Sequence, residues 1–265
     1  MNTEVKDMSR KSSTKSYILT PAAGKRLIAK AILTIPEVQE ALENHTVVIA
    51  AGTTNAYLAE EALAKLGESE GFTKRRFLRG VTLPPNYKRE ESGDENKFLG
   101  DLVIVKGKSE FGKTIFDVAD SLKAGDIIFK GANAVNLEDR QAAVLIGHPA
   151  GGTIVPIIQS NIGRRVGLYI PIGLEKRINA NINEVAAVLN SQGTSSPRYM
   201  PISGKIITEL EALKLLTGAE AQLVASGGIA GAEGSYWLAV TGTEEELAKA
   251  DAVYEEVKRE GVFLV

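Results

Sequence analysis

Stretches in which apolar residues recur every three or four positions alternate along this chain with short runs that are apolar throughout. Thr20-Pro21 opens the first helix, with threonine as N-cap and proline at the first helical position. Leu27, Ile28, Ala31 and Ile32 give that helix its apolar stripe. A second helix starts at Pro36 and carries Val38, Ala41 and Leu42. The run Thr46–Ala51 is β-branched and apolar, of the kind that parallel sheets bury on both faces. It stops at Gly52, and Thr53-Thr54-Asn55 leads into a helix bearing Tyr57, Leu58, Ala62 and Leu63. Further strands are expected at Leu102–Val105, Asp126–Phe129, Ala142–Ile146 and Val166–Pro171, and short helices at Ile115–Leu122 and Ile154–Ile158. Strands alternating with helices predict an α/β fold built on a parallel, doubly wound, Rossmann-like sheet.

The pattern changes near Gln192. Residues 192–197 read as a Gly/Ser/Pro linker, and the chain beyond it predicts strand 198–203, helix 206–216, strands 221–226 and 235–241, helix 243–259 and strand 262–265. That order is βαββαβ, a ferredoxin-like unit. Thr243 with Glu246 forms a capping box at the last helix. Tyr236, Leu238 and Val240 alternate with Trp237, Ala239 and Thr241, as a strand with two different faces requires. The expected organisation is therefore a disordered arm over 1–16, a Rossmann-like anion-binding domain over 17–191, and a ferredoxin-like α+β domain over 198–265. Gly67–Asn96, with Pro84-Pro85 and the charged run Lys88–Asp94, reads as a surface excursion.

Charge and composition narrow the function classes. A net charge of −2 supplies no global field for nucleic acid, and Lys74-Arg75-Arg76 reads as a solvated face, so no nucleic-acid partner is expected. With no cysteine and only His45 and His148, thiol nucleophiles, thiolate metal sites and multi-histidine metal sites are excluded. The polar segment Met1–Ser16 lacks the apolar run of a secretory signal, no window resembles a membrane span, and a cytoplasmic location is the expectation. No motif names a cofactor. Exposed sheet edges in such folds often pair, which makes a homodimer an open expectation.

Three turns carry the candidate chemistry. Gly52, Thr53, Thr54 and Asn55 join a buried strand to a helix, where unpaired N–H groups and partial positive charge attract phosphates and carboxylates. The plain structural reading is that Gly52 makes a tight turn and Thr54 caps the helix. Gly131 to Asn136 comes directly after the next buried strand, at the edge where open α/β sheets bind ligands. Gly147 to Thr153 is a third Gly-rich turn, in which Gly151, Gly152 and Thr153 precede a helix and His148 is either an acid, base or anion donor or a surface turn residue. In a parallel sheet the three turns gather on one edge, which makes a small anionic metabolite the expected partner, with His148, Asn133 and Asn136 as the groups nearest to chemistry. Arg164-Arg165 and the glycines of Gly227–Gly234 each have a bland structural reading beside a ligand-binding one.

The order helix, strand, Gly-Thr-Thr-Asn, helix, strand, Gly-Ala-Asn-Ala-Val-Asn, Gly-Gly-Thr, helix, strand resembles the superfamily of ribose-5-phosphate isomerase, glucosamine-6-phosphate deaminase and coenzyme A transferases. The sugar-phosphate sensor domains of DeoR-type repressors share the likeness, which spans roughly residues 20–178. The resemblance implies that Gly52–Asn55 holds a phosphate or equivalent anion. It also implies aspartates near Lys130 and Asn133, and a general-base glutamate where Ile157 or Ile158 stands. An isoleucine cannot take a proton, so isomerase turnover is not expected. Three readings stay open: a binder of a phosphorylated or carboxylated metabolite, a non-catalytic sensor or assembly module, and an acyl or coenzyme A transferase using Glu138 or Glu175.

Overall fold

In chain order the elements are β1 (Ser13–Leu19), α1 (Pro21–Ile32), α2 (Pro36–Asn44), β2 (Thr46–Ile49), α3 (Thr53–Leu66), β3 (Leu102–Val105) and β4 (Lys108–Glu110). Next come α4 (Ile115–Val118), β5 (Ile127–Phe129), β6 (Ala134–Asn136), β7 (Gln141–Ile146), α5 (Ile154–Ile158) and β8 (Gly167–Pro171). The chain continues through α6 (Ile182–Leu189), β9 (Arg198–Ile202), β10 (Lys205–Ile207), α7 (Glu209–Thr217), β11 (Glu220–Ser226), β12 (Tyr236–Gly242) and α8 (Glu244–Val257). This is a computed structural model that describes residues 12–80, 82–83, 85–86 and 99–263. The run Lys88–Asp94 lies outside the described residues.

The apolar runs become the middle of a six-stranded mixed sheet ordered β10-β8-β5-β2-β3-β4. The first four of these are parallel, and β3 and β4 continue antiparallel. The protein is thus of the α/β class. Side chains alternate across the sheet with period two. Val47 and Ile49 pack with Phe129, Tyr169 and residues of α1, α3 and α7, whereas Val48 and Ala50 pack with Ile128, Leu168 and residues of α4 and α5. Burial on both faces is why these strands read as continuous apolar runs. No helix among the described residues is long and apolar enough to cross a membrane.

Several expectations from the sequence need correction. Residues 13–16 are not a loose arm. They belong to β1, which pairs antiparallel with β12 from Ser13↔Gly242 to Leu19↔Tyr236. Only Tyr17 and Leu19 of that strand are buried, so the segment reads as polar while its backbone completes a sheet. Thr14 and Thr241 share a hydroxyl hydrogen bond at 2.8 Å across this pair.

A βαββαβ sheet over 198–265 does not form either. β9 pairs with β7 in a three-stranded antiparallel sheet, β6-β7-β9, and β10 extends the main sheet beside β8. Ile206 and Ile207 of β10 bury on opposite faces of the main sheet, which is what draws that strand away from β11 and β12. The third sheet, β1-β12-β11, takes its first strand from the N-terminus instead. Residues 262–263 are not in a strand, and the ring of Phe263 packs 5.8 Å from that of Tyr57; residues 264–265 lie outside the described residues. Strand Ala142–Ile146 forms as β7 but outside the parallel sheet, and the helix expected over 206–216 begins at Glu209, capped by Thr208.

One glycine ties three elements together. The Tyr236 hydroxyl of β12 donates to Glu209 Oε1 of α7 at 2.6 Å, and both groups sit against Gly24 of α1. A Cβ at position 24 would lie 1.7 Å from the tyrosine oxygen and 2.3 Å from Glu209 Oε1. Gly24→Ala should therefore overpack this junction and lower the free energy of unfolding by about 1–3 kcal/mol, read from urea titrations. A change of only a few tenths would show that the buried pair can move aside.

Candidate functional site

Since β2, β5 and β8 are parallel neighbours, the segments leaving their carboxyl ends meet on one edge of the sheet. There they enclose a cavity of about 270 Å³. A second lobe of about 260 Å³ adjoins it, and the two share Ala51, Arg79, Gly80, Lys130 and Asn133 in their walls.

The turn after β2 is fixed from both sides. Ala51 donates its N–H to Asp101 Oδ1 at 2.8 Å, and Gly52 donates to the Phe77 carbonyl at 3.1 Å. Asn55 is 1 % exposed; its Nδ2 donates to the carbonyls of Ala50 and Phe129 at 2.7 and 3.0 Å, clamping the turn to the end of β5. Its Oδ1, and the hydroxyl of Thr54, are buried without a hydrogen-bond partner among the described residues. No side chain caps α3, so the unpaired N–H groups of its first turn remain available at the cavity. Gly52 has an extended backbone (φ 166°), and an added Cβ would meet nothing within 4 Å. Neither strain nor crowding demands glycine there. Its missing side chain leaves cavity space.

Charge then distinguishes the first lobe. Among the described residues four cationic side chains line it, Lys25, Arg79, Lys130 and Lys176, and no carboxylate does. Arg79 pairs at 2.9 Å with Asp101, a buried carboxylate that also accepts the N–H groups of Ala51 and Ile115, each at 2.8 Å. Lys25, on the buried stripe of α1, lies 3.0 Å from Glu175 Oε1. Lys130 donates to the Gly131 carbonyl at 3.1 Å and Lys176 to the Ala132 carbonyl at 2.9 Å, and neither has a carboxylate partner among the described residues. Desolvation and then the neighbouring Lys176 pull the Lys130 ammonium down to about 8 against the opposing charge of Asp101, and desolvation lowers Lys176 although Glu175 opposes it.

Behind this wall lies a carboxylate pair. Glu209 is fully buried and accepts the Leu174 N–H at 2.9 Å as well as the Tyr236 hydroxyl. Burial, and then the charge of Glu175, raise its pKa to about 7. Both oxygens of Glu175 are buried without a hydrogen bond and are held by the charge of Lys25. Gly173 lets this carboxylate fold back, for a Cβ there would sit 1.9 Å from Glu175 Oε2.

The residues singled out in the sequence divide by position. Gly52, Thr53, Thr54, Asn55 and Gly131 line the first lobe, and Asn133 lines both. His148, Gly151, Gly152 and Thr153 line the second, where His148 is exposed and its Nδ1 accepts the Ala150 N–H at 3.1 Å within the turn. Asn136 lines neither lobe: its Oδ1 accepts the N–H groups of Glu138 and Asp139, and its Nδ2 donates to the Ala180 carbonyl at 3.2 Å. It shapes a turn. Glu138 is exposed and lines neither lobe. Arg164 pairs with Asp120 at 2.8 Å, and Lys74 with Glu260 at 2.8 Å, each in keeping with a structural role.

Sequence reasoning overlooked the cations. Lys25 precedes Ile28 by three and Ile32 by seven residues, so a lysine inside an apolar stripe was the available signal. Lys130 enters the sequence reading only as the residue standing where the resemblance implies an aspartate, and Lys176 only as part of a helix start with Glu175. Arg79 stands in a polar excursion and offers no signal at all.

The carboxylate pair sets a pH dependence. Glu209 keeps its proton in the folded chain up to about 7, whereas the unfolded chain releases it near 4.5, so stability falls as pH rises across that window. Glu209→Gln stays neutral throughout. Going from pH 5 to pH 8, its urea-unfolding free energy should gain on that of the natural chain by on the order of 3 kcal/mol. A difference independent of pH would mean that Glu209 ionises as an ordinary carboxyl.

Comparison with family models, with curated proteins and with solved structures gives no match, so the functional reading rests on the cavity itself.

Proposed function

We propose that the protein binds a small phosphorylated metabolite in the first lobe, with the phosphate against the N-terminal turn of α3 and the ammonium groups of Lys130 and Lys176. The charge of the wall carries this reading. Lys25 and Arg79 are each matched by a carboxylate, Glu175 and Asp101, whereas Lys130 and Lys176 donate only to backbone carbonyls. Two ammonium groups without a salt-bridge partner among the described residues suit the charge of a phosphate monoester, about −1.5 to −2 near neutral pH, better than the single charge of a carboxylate. The unpartnered Thr54 hydroxyl and the uncapped turn of α3 add donors of the kind phosphates take. The likeness of Gly52–Asn55 to the phosphate turn of sugar-phosphate isomerases supports the same assignment. The second lobe offers room for the organic part of the ligand.

Thermal unfolding with added ligand tests this directly. Phosphate and sugar phosphates at about 100 times their dissociation constant should raise the melting temperature by roughly 5–10 °C, and acetate or lactate at equal concentration should not. Gly52→Trp, which fills space that is open, should abolish the shift while the protein still unfolds cooperatively. Lys176→Met should weaken phosphate binding roughly 10- to 100-fold, as expected for the loss of one charge-assisted hydrogen bond. Equal shifts with carboxylates, or full binding by the Gly52→Trp variant, would overturn the assignment.

A further inference from the structure

Lys130 differs from the other cations of the cavity by its place. It lines both lobes, where Lys25 and Lys176 line only the first. Among the described residues it donates to the carbonyl of the next residue, at 3.1 Å, and forms no salt bridge, Asp101 being paired with Arg79. A lysine so placed has two chemical uses: fixed positive charge, or an amine that attacks carbon. The turn of α3 and Lys176 hold the phosphate from the first lobe, and Lys130 reaches it from the junction with the second. A ligand whose phosphate lies there and whose carbon body continues into the second lobe presents its first carbons at the junction, beside Lys130. Asn133 lines the same junction. Its Oδ1 is committed to the Leu145 N–H at 3.0 Å, which leaves its NH2 group as the donor available to a carbonyl or hydroxyl oxygen.

Resting on the phosphate reading, we propose that Lys130 is a nucleophile that forms an imine with the carbonyl carbon of a phosphorylated aldehyde or ketone. The lysine Nζ bonds to the carbonyl carbon and the carbon–oxygen double bond breaks. The oxygen departs as water with two of the three ammonium protons, and the third stays on the iminium. One positive charge enters and one remains, so the charge that matches the phosphate is preserved. No oxidant, reductant or metal is required.

Amine availability is consistent with this role. Burial and the flanking Lys176 and Arg79 lower the basicity of Lys130 to about 8, so it carries about 300-fold more free amine at neutral pH than a lysine at 10.5.

Glyceraldehyde 3-phosphate followed by sodium borohydride, which reduces an imine to a stable secondary amine, is the test, read by intact mass and peptide mapping. The expected result is one adduct, on Lys130, formed roughly 10- to 100-fold faster than on any other lysine and suppressed by excess inorganic phosphate. Lys130→Arg keeps the charge but has no amine that can form an imine, and should lose the adduct even at a glyceraldehyde 3-phosphate concentration that gives the variant its own full thermal shift. Trapping spread over surface lysines, trapping undiminished by phosphate, or equal trapping in the Lys130→Arg variant would overturn the proposal. Phosphate binding without trapping would overturn it and leave the binding function standing. Absence of the phosphate shift itself would strike at the phosphate reading instead.

Discussion

Removing charge from water is the constraint around which this sheet edge is organised. An ammonium or carboxylate loses several kcal/mol of hydration on burial unless partners replace it. Asp101 is given two backbone N–H groups and Arg79, and Glu209 is given a backbone N–H and a tyrosine hydroxyl. Lys25 and Glu175 offset each other. Lys130 and Lys176 are the exceptions, donating to backbone carbonyls and forming no salt bridge among the described residues. Under the proposed function, an anion placed between them would supply what the fold withholds. Binding and stability are therefore linked in one free energy: an ion that finds the native cavity relieves a cost the unfolded chain does not carry.

The parts of the protein legible in the sequence are those whose signal is local. β2, β5 and β8 are visible there because burial on both faces leaves an unbroken apolar run. The Gly52 turn is visible because a strand ending in Gly-Thr-Thr-Asn before a helical stripe marks a change from strand to helix. β1 is not visible. It offers only Tyr17 and Leu19 to the core, and its pairing with β12 is a backbone matter between segments more than 200 residues apart. At the C-terminus the βαββαβ pattern matches most of the strands and helices that form, but not the sheet. Order along the chain does not say which strands pair, and Ile206 and Ile207 find a better site beside β8. The cations are hidden for a related reason. A lysine at a strand's end is usually solvated, and only the tertiary approach of α1, β5 and the segment after β8 turns Lys25, Lys130 and Lys176 into one wall.

The acids absent from the isomerase-like positions take on a different meaning in this setting. Ile157 is buried in the core beneath the sheet and cannot serve as a base. Carboxylates are nonetheless close to the cavity, but behind its wall, as Glu175 and Glu209. Glu175 is held by Lys25 and Glu209 by the Tyr236 hydroxyl, so neither lines the cavity. The chain thus places cations in front and acids behind, the reverse of a site that removes a carbon-bound proton with an open carboxylate. Amine chemistry at a cation suits this arrangement better than carboxylate chemistry does.

The topology explains why a crevice opens here at all. Open α/β sheets bind ligands where neighbouring crossovers leave toward opposite faces, usually at a reversal of strand order. The order β10-β8-β5-β2-β3-β4 holds such a reversal between β2 and β5, for the chain passes from β2 to β3 and β4 on one side and then returns to β5, β8 and β10 on the other. After β2 the chain leaves toward the face that holds α1 and α3, and after β5 it leaves toward the opposite face, where β6, β7 and α5 pack. Two adjacent strand ends are parted, and the gap between them is the junction of the two lobes. Lys130 and Asn133 belong to the strand end on one side and Ala51 to the other, so divergence leaves these three facing the gap, where Arg79 and Gly80 of the segment before β3 complete the wall that both lobes share.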